Sequence, residues 1–419
     1  MGSRQDGKNI TKAARGVSFA VANKKIDTLR RRAAANPVAV RSGREYLDRP
    51  LDGRIQITTK AATHRISLMV DQVDVSGTLV FDFKQHFGPC RLRMGGVAGV
   101  RTHRDHRFRG YSRIVLENML RWMRGEGFDV SMLYGITGFY PKFGYVPAFP
   151  ETHFECAVRD AERLPSSGCT FVDYNSSYLS AVLKVFRRNQ ATRTGPTERD
   201  RRYWKPFREG ISWGPQAVCR VALDKERQVA GYFVYDAGRE DIYVLEVGHA
   251  HPGVFADIFG AVARMAWQRR LASIRFRLPD DDQLMAYGQS QGLALKKEVS
   301  YLTDGGPMVR IINGCNALAK AAPLLASRMQ RSGRLCLDTN IDRIWLAWSG
   351  GEMTVGTTPL AGATRARLGQ GALASLLYGY TPASGLAAAG TLKTSAKGLE
   401  MLSQLFPVTP HYHSRVDAF

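Results

Sequence analysis

The stretch from Val97 to Tyr145 constrains this chain more than any other part of it. It reads Val-Ala-Gly-Val-Arg-Thr-His-Arg-Asp-His-Arg-Phe-Arg-Gly-Tyr-Ser, then an apolar segment, then Leu-Tyr-Gly-Ile-Thr-Gly-Phe-Tyr-Pro-Lys-Phe-Gly-Tyr. Met94 to Thr102 has the residues of a strand, and a helix is predicted to open after Gly110. Val115, Met119, Trp122 and Met123 recur at a spacing near 3.6 and form its apolar face. Arg113, Glu117, Arg121 and Arg124 face elsewhere, and Gly125 and Gly127 close the helix. A helix start carries unpaired N–H groups, which suit an anion. Arg107, Arg109 and Gly110 stand at that opening: glycine permits close approach, and arginine adds charge and forked donors.

Two motifs therefore stand in order, R-x-x-G-x-S at Arg107–Ser112 and Phe139-Tyr-Pro-Lys-Phe-Gly-Tyr145, about 30 residues apart. The second has another reading, a packed strand with a glycine bulge. Together they resemble the acetyl-CoA-binding core of the GNAT acetyltransferases, in the Eis-type branch of that superfamily. The resemblance implies α/β and α+β architecture: tandem GNAT folds followed by a sterol-carrier-protein-like domain. It extends over roughly 65–419, through the ending Leu405-Phe406-Pro407 and the tail Asp417-Ala418-Phe419.

The rest of the chain divides on that pattern. Residues 1–157 are assigned to the first GNAT domain, 158–305 to a degenerate second GNAT-like domain, and 306–419 to the sterol-carrier-like domain. Residues 1–60 are basic, with Lys24, Lys25, Arg30, Arg31 and Arg32 in one cluster. Val17–Ala22 reads as a strand and Lys25–Ala35 as a short helix, either as an ordered GNAT opening or as a solvated arm. Asp74-Val-Ser-Gly reads as a turn between two strands, and Pro165 to Gly168 as a polar linker. Arg187–Arg208 interleaves basic residues with Tyr203, Trp204 and Phe207; it reads as an amphipathic helix or as a nucleic-acid-binding stretch. A strand and a long helix recur around Ile242–Arg269, but their junction, Gly248-His-Ala-His-Pro-Gly, lacks the arginine and glycine of the first. His249 and His251 alone do not make a metal site. Met308 begins the third unit, with strands at Leu335–Asp338 and Ile344–Trp348, a hairpin at Ser349-Gly350-Gly351, and helices at Gln370–Leu377 and Ser395–Leu405.

Composition limits the alternatives. A chain of 419 residues holds two or three domains, and 44% apolar residues supply ordinary cores. No apolar run approaches the length of a membrane span, and no signal-peptide core is visible near the start. The six cysteines are scattered without metal spacing, so a cytoplasmic protein with reduced thiols is expected and no metal is assigned. The net charge of +22 favours anionic partners, of which a polyphosphate cofactor would use only a few charges.

The resemblance assigns roles residue by residue. Val100, Arg101 and Thr102 would pair with the pantetheine arm of acetyl-CoA, a co-substrate. Arg107, Phe108, Arg109, Gly110, Tyr111, Ser112 and Arg113 would surround the pyrophosphate, with Ser112 standing where the family prefers Gly or Ala. Gly135 and Ile136 would flank the thioester. An attacking amine must lose a proton and the leaving thiolate must gain one, so a base and an acid are needed. Tyr140 matches the family's proton donor, and the carboxylate of Phe419 its base, against the alternative of a frayed terminus. The expected activity is N-acetylation of an amine on a small molecule or peptide, by a homo-oligomer; family members of this type form hexamers. A nucleic-acid-binding protein and a lipid or sterol carrier are the alternatives, with nucleic acid not favoured.

Overall fold

The computed structural model describes residues 53–200, 204, 206–207, 215–409 and 411–419. The strand expected at Val17–Ala22, the helix at Lys25–Ala35 and the basic cluster between them lie outside the described residues, as do Arg201, Arg202, Tyr203 and Lys205.

Strands β1 (Gly53–Lys60), β2 (Thr63–Val70), β3 (Val73–Phe87) and β4 (Cys90–Thr102) form an antiparallel meander. The turn after β2 is Asp71–Gln72, with φ of 49° and 66°, a two-residue hairpin of left-handed conformers. The turn expected at Asp74 is instead part of β3. The Asp74 carboxylate accepts hydrogen bonds there from Arg65 at 2.7 Å and Arg101 at 2.9 Å, so cross-strand charge pairing overrides its turn tendency.

Helix α1 (Tyr111–Gly125) buries Val115, Leu116, Met119 and Met123 against one face of this sheet. Half-buried Trp122 lies at the edge of the same cluster. The chain returns as β5 (Val130–Gly135), parallel to β4, and reaches the short β6 (Val146–Pro147). The Phe139–Tyr145 run is no strand: Tyr140–Phe143 is a 3-10 turn closed by Gly144 at φ 76°. Proline at its second position and a left-handed glycine at its end are the chemistry of a helical turn.

A second sheet is built from β7 (Glu151–Ala157), β8 (Thr170–Asp173), β10 (Ala217–Leu223), β11 (Val229–Asp236), β12 (Tyr243–His249), β13 (Ser273–Phe276) and β14 (Lys296–Ser300), in the order β14-β7-β13-β12-β11-β10-β8. Helices α2 (Val158–Glu162), α3 (Leu179–Asn189), α4 (Phe255–Gln268) and α5 (Gln283–Ser290) accompany it, with β9 (Thr194–Thr197) following α3. The third part comprises β15 (Gly306–Ile311), α6 (Gly314–Ser327), β16 (Gly333–Asp338), β17 (Arg343–Ser349), β18 (Glu352–Gly356), β19 (Thr364–Leu368), α7 (Gln370–Leu377), α8 (Ala383–Ala388), β20 (Leu392–Thr394) and α9 (Ala396–Leu405). Its own sheet runs β18-β17-β16-β19-β20, and the β17–β18 hairpin turns on Gly350 and Gly351, both at positive φ, as the sequence predicts.

Strand membership cuts across the boundaries expected at 157 and 305. Strand β7 lies inside the second sheet. Strand β15, assigned to the third unit, lies between β5 and β6 in the first sheet, and β9 pairs with β3 there. Such insertions satisfy edges that would otherwise stand open. Among the described residues of Arg187–Arg208, the expected amphipathic helix is likewise replaced by the end of α3 and by β9, with Arg199 and Phe207 buried.

The second face of the first sheet is covered by the third domain. Phe83, Phe87, Met94 and Met132 share one apolar core with Leu325, Leu337, Leu346, Leu373 and Leu377. Burial of this kind contributes roughly 25 cal/mol per Å2 of apolar surface, which joins the two parts. Among the described residues, no helix is long and apolar enough to cross a membrane.

Candidate active site

The site starts where two parallel strands part. Strands β4 and β5 pair only from Met94↔Val130 to Val97↔Leu133. Beyond Val97, β4 runs on to Thr102 bonded to β3 alone. A bulge with Gly99 at φ 59° shifts the register there and bends β4 away from β5. The β5 side of residues 99–102 therefore presents strand N–H and C=O groups to a cleft, with Gly135 at the end of β5 as its other wall.

The loop at the mouth of the cleft is shaped by backbone conformation. Arg104–His106 forms a 3-10 turn, Phe108 has φ 64° and its ring is 98% exposed, and Gly110 caps α1 at φ 78°. The first intrahelical bonds are those from Arg113 and Ile114 to the Gly110 carbonyl, so the earlier amides point out of the helix end. No acidic residue lies in this first turn, and Arg107, Arg109 and Arg113 are exposed around it. An anion placed here meets helix-end amides and positive charge together.

Ser112, the departure from the family preference, has a structural use. Its hydroxyl lies 2.8 Å from Thr102 Oγ1, which lies 2.9 Å from Ser76 Oγ, which donates to the Arg101 carbonyl at 2.9 Å. This chain of hydroxyls ties the start of α1 to the end of β4 and β3. The Arg101 side chain is committed to Asp74, and its carbonyl to Ser76, both on β3.

Tyr140 stands on the α1 side of the sheet. A Cβ built on Gly135 would lie 3.1 Å from Tyr140 Cδ2 and 2.5 Å from Met308 Sδ, so the missing side chain is what lets the ring approach the end of β5. Phe139 and Tyr145 meet that ring edge-on, at 5.0 and 6.1 Å. Burial raises the phenol above its ordinary pKa. Among the described residues no side chain is hydrogen-bonded to its hydroxyl. Ile136, next to Gly135, is 66% exposed at the cleft rim.

Phe419 is held on the opposite face. Its ring lies 5.3 Å from Phe83, 6.3 Å from Phe81 and 6.0 Å from Tyr134. A Cβ on Gly96 would come within 3.0 Å of it. The end of the chain is thus no frayed terminus: it is seated on β3, β4 and β5 of the first domain, against the residue that precedes Gly135.

Sequence reasoning missed the groups that make this seat. Gly96 and Tyr134 shape it, and the pair Gly95-Gly96 inside a strand was a signal of close approach. His413 was also missed. It is buried, with Nδ1 3.1 Å from the Gly195 carbonyl and its ring 5.9 Å from Tyr134 and 6.4 Å from Phe419. Burial pushes its pKa down to about 4, so it is neutral at pH 7. No local pattern marks it.

The second domain repeats the parting of strands, and a cavity beside it is lined by Asn189, Glu246, His249, Leu278 and Tyr412. Strands β12 and β13 pair only at Tyr243↔Arg275 and Val244↔Phe276, and β12 continues to His249. Here the exposed edge is taken by the protein's own groups. The Asn189 carboxamide accepts from His249 N–H at 2.9 Å and donates to its carbonyl at 3.1 Å. The Tyr412 hydroxyl donates to the Leu245 carbonyl at 3.0 Å. His251 is exposed, and among the described residues no group of three or more His, Cys, Asp or Glu is placed to hold a metal.

Comparison with known proteins agrees with this anatomy. Residues 53–148 match the family of the acetyltransferase (GNAT) domain, and residues 336–414 that of the sterol carrier protein domain. No curated protein matches the chain. Among solved structures, a protein of Enterococcus faecalis V583 described as a probable N-acyltransferase superposes with a TM-score of 0.72 at 16% identity, covering 88% of this chain and 99% of its own. A GCN5-related N-acetyltransferase from Kribbella flavida gives 0.66 at 18%, covering 85% and 87%. Eis1 from Mycobacterium abscessus gives 0.60 at 15%, covering 85% and 91%. At these identities the likeness is one of fold.

Proposed function

We propose that this chain, which carries a GNAT acetyltransferase domain and a sterol carrier protein domain on a fold similar to that of Eis1, is an N-acetyltransferase using one acetyl-CoA in its first domain. The observation that carries this reading is the contrast between two partings of parallel strands. One stands beside an uncapped, arginine-flanked helix start with no acidic residue in its first turn; the other leads to a helix with Asp257 in its first turn, and Asn189 and Tyr412 bond part of its strand edge.

The open cleft fits the cofactor by its chemistry. Backbone groups of Val100 and Thr102 and the Arg101 main chain can pair with the amides of a pantetheine arm. The amides after Gly110, with Arg107, Arg109 and Arg113, can take the pyrophosphate, Phe108 and Tyr111 adding aromatic contact. The bound thioester supplies the acyl group. Gly135 and Ile136 then stand beside the reacting carbon. Tyr140, a neutral phenol, is the acid that protonates the departing thiolate. The Phe419 carboxylate, held beside Tyr134 by its own ring, orders the ammonium group of the acceptor or takes its proton, directly or through a water.

The acceptor is an amine on a small molecule or peptide, and the reading includes a cytoplasmic homo-oligomer, which light scattering of the purified protein tests. The nucleic-acid alternative loses support, because Arg199 and Phe207 are buried and Arg193 is paired with Asp281 at 2.5 Å. The lipid-carrier alternative loses support because the apolar side of the third domain is packed on the first sheet. Titration with acetyl-CoA by calorimetry tests the proposal: one site per chain is expected, and two sites or none refutes it.

A further inference from the structure

The segment that ends in Phe419 forms one wall of the cavity beside β12 in the second domain. Tyr412 donates its backbone N–H to the Thr194 carbonyl at 2.9 Å and its hydroxyl to Leu245. His411 bridges Thr194, and His413 contacts the Gly195 carbonyl. The segment thereby bridges β9 through its backbone and β12 through the Tyr412 hydroxyl.

At the bottom of this contact lies an ion cluster cut off from water. Arg199, Glu246 and Asp417 have side chains only 1%, 2% and 1% exposed. The guanidinium grips Glu246 with both terminal nitrogens, at 2.8 and 2.6 Å, and Asp417 with Nε at 2.8 Å. It lies over Phe186 at 3.7 Å and Trp204 at 4.7 Å. Trp204 Nε1 also donates to Asp417 at 3.1 Å, and Ser414 and Tyr232 donate to Glu246 at 2.5 and 2.9 Å.

We propose that the second domain is a clamp for the C-terminal segment, and that Arg199 is a positioning residue that fixes where Phe419 sits. The inference rests on the reading that the Phe419 carboxylate handles the acceptor. Only Ala418 separates Asp417 from Phe419, and two residues span at most about 7 Å. An anchor at Asp417 therefore sets the terminal carboxylate within a small volume beside Tyr134. Burying one cation with two carboxylates is a poor way to gain stability, since apolar side chains of similar volume do as well or better. Its directional bonds fix one register, and register is what a terminal carboxylate with a chemical task requires.

The experiment is a double-mutant cycle on the full chain, combining Arg199→Met with a Gly-Ser-Gly extension after Phe419. Asp417→Asn, which keeps the shape of the side chain, is the second variant should Arg199→Met not fold. Each clamp variant is expected to lower kcat at least tenfold, to leave the acetyl-CoA KM within twofold, and to speed amide exchange in 411–419 but not in β4 or α1. In the extended background neither substitution should lower kcat further. Additive losses, unchanged exchange in the tail, or a loss read in the acetyl-CoA KM overturns the clamp. An extension that leaves kcat unchanged overturns instead the role given to the Phe419 carboxylate, and the exchange measurement still decides whether Arg199 holds the tail.

Discussion

Gly110 offers a test whose size can be worked from the structure. Its backbone is left-handed, φ 78° and ψ 4°, yet a Cβ built on it meets nothing within 4 Å. Gly110→Ala therefore causes no collision in the protein; it adds only the left-handed cost of an L-residue, about 1–2 kcal/mol. If the backbone keeps its conformation, the cost appears as lost stability and acetyl-CoA binds as before. If φ relaxes, the amides after Gly110 turn from the pyrophosphate and affinity falls. The fall is bounded, because the variant can always return to the binding conformation at that cost: about 5- to 30-fold, at roughly tenfold per 1.4 kcal/mol. Gly110→Asn, which tolerates this region better, should lose less. Gly110→Asp adds a negative charge beside the diphosphate and should exceed the bound. Calorimetry with acetyl-CoA and urea unfolding together divide the cost between binding and stability. An undiminished affinity in Gly110→Asp would refute the placement of the pyrophosphate at this helix start. A loss above a hundredfold in Gly110→Ala would refute the argument from conformation and mean that the ligand itself fills the space.

Tyr140→Phe keeps the ring that packs on Gly135 and removes only the hydroxyl; turnover should fall by about 10²–10⁴-fold with acetyl-CoA affinity kept, and an unchanged rate in steady-state assays would remove Tyr140 from the chemistry. Gly135→Ala should displace Met308 and Tyr140, since its Cβ would lie 2.5 Å from Met308 Sδ; we expect a lower kcat than wild type, and an unaltered kcat would show that the ring position is immaterial. A C-terminal tag should abolish most turnover while calorimetry still records one acetyl-CoA; equal rates for tagged and untagged enzyme would make the tail purely structural. His413 is neutral when buried, with its pKa lowered to about 4, but charges near 6.5 when unfolded. Its contribution to stability is therefore complete above pH 6.5 and lost as pH falls towards 4, at about 1.4 kcal/mol per pH unit. His86, also lowered to about 4 by burial, acts in the same direction. Urea unfolding of wild type and His413→Gln at pH 7.5, 6 and 5 should show the steeper decline in wild type, and parallel declines would contradict the assignment.

What could be read from the sequence is what local physics specifies. Strand, left-handed glycine, apolar stripe at 3.6 spacing and closing glycines are all properties of neighbours, so Met94 to Gly127 was legible, and with it the open helix start. The hairpin at Gly350-Gly351 and the helix at Gln370–Leu377 were legible for the same reason. The turn at Asp71–Gln72 was not, because two non-glycine residues adopt the left-handed region there and Asp74 nearby imitates a turn signal.

The rest was decided by contacts between distant parts of the chain. That β15 enters the first sheet depends on backbone edges left open elsewhere, which no side-chain pattern records. That Asn189 and Tyr412 bond the edge of β12 depends on a carboxamide meeting His249, 60 residues away, and on a hydroxyl meeting Leu245, 167 residues away. Gly96 makes room for a ring more than 300 positions later in the chain. The sequence by itself determined which helix start could hold a phosphate, because a helix start is a property of a few adjacent residues. Only the tertiary structure decided that Phe419 sits on the other face of the same strands, because the cost of bringing that terminus home is met by a core and an ion cluster assembled from all three domains.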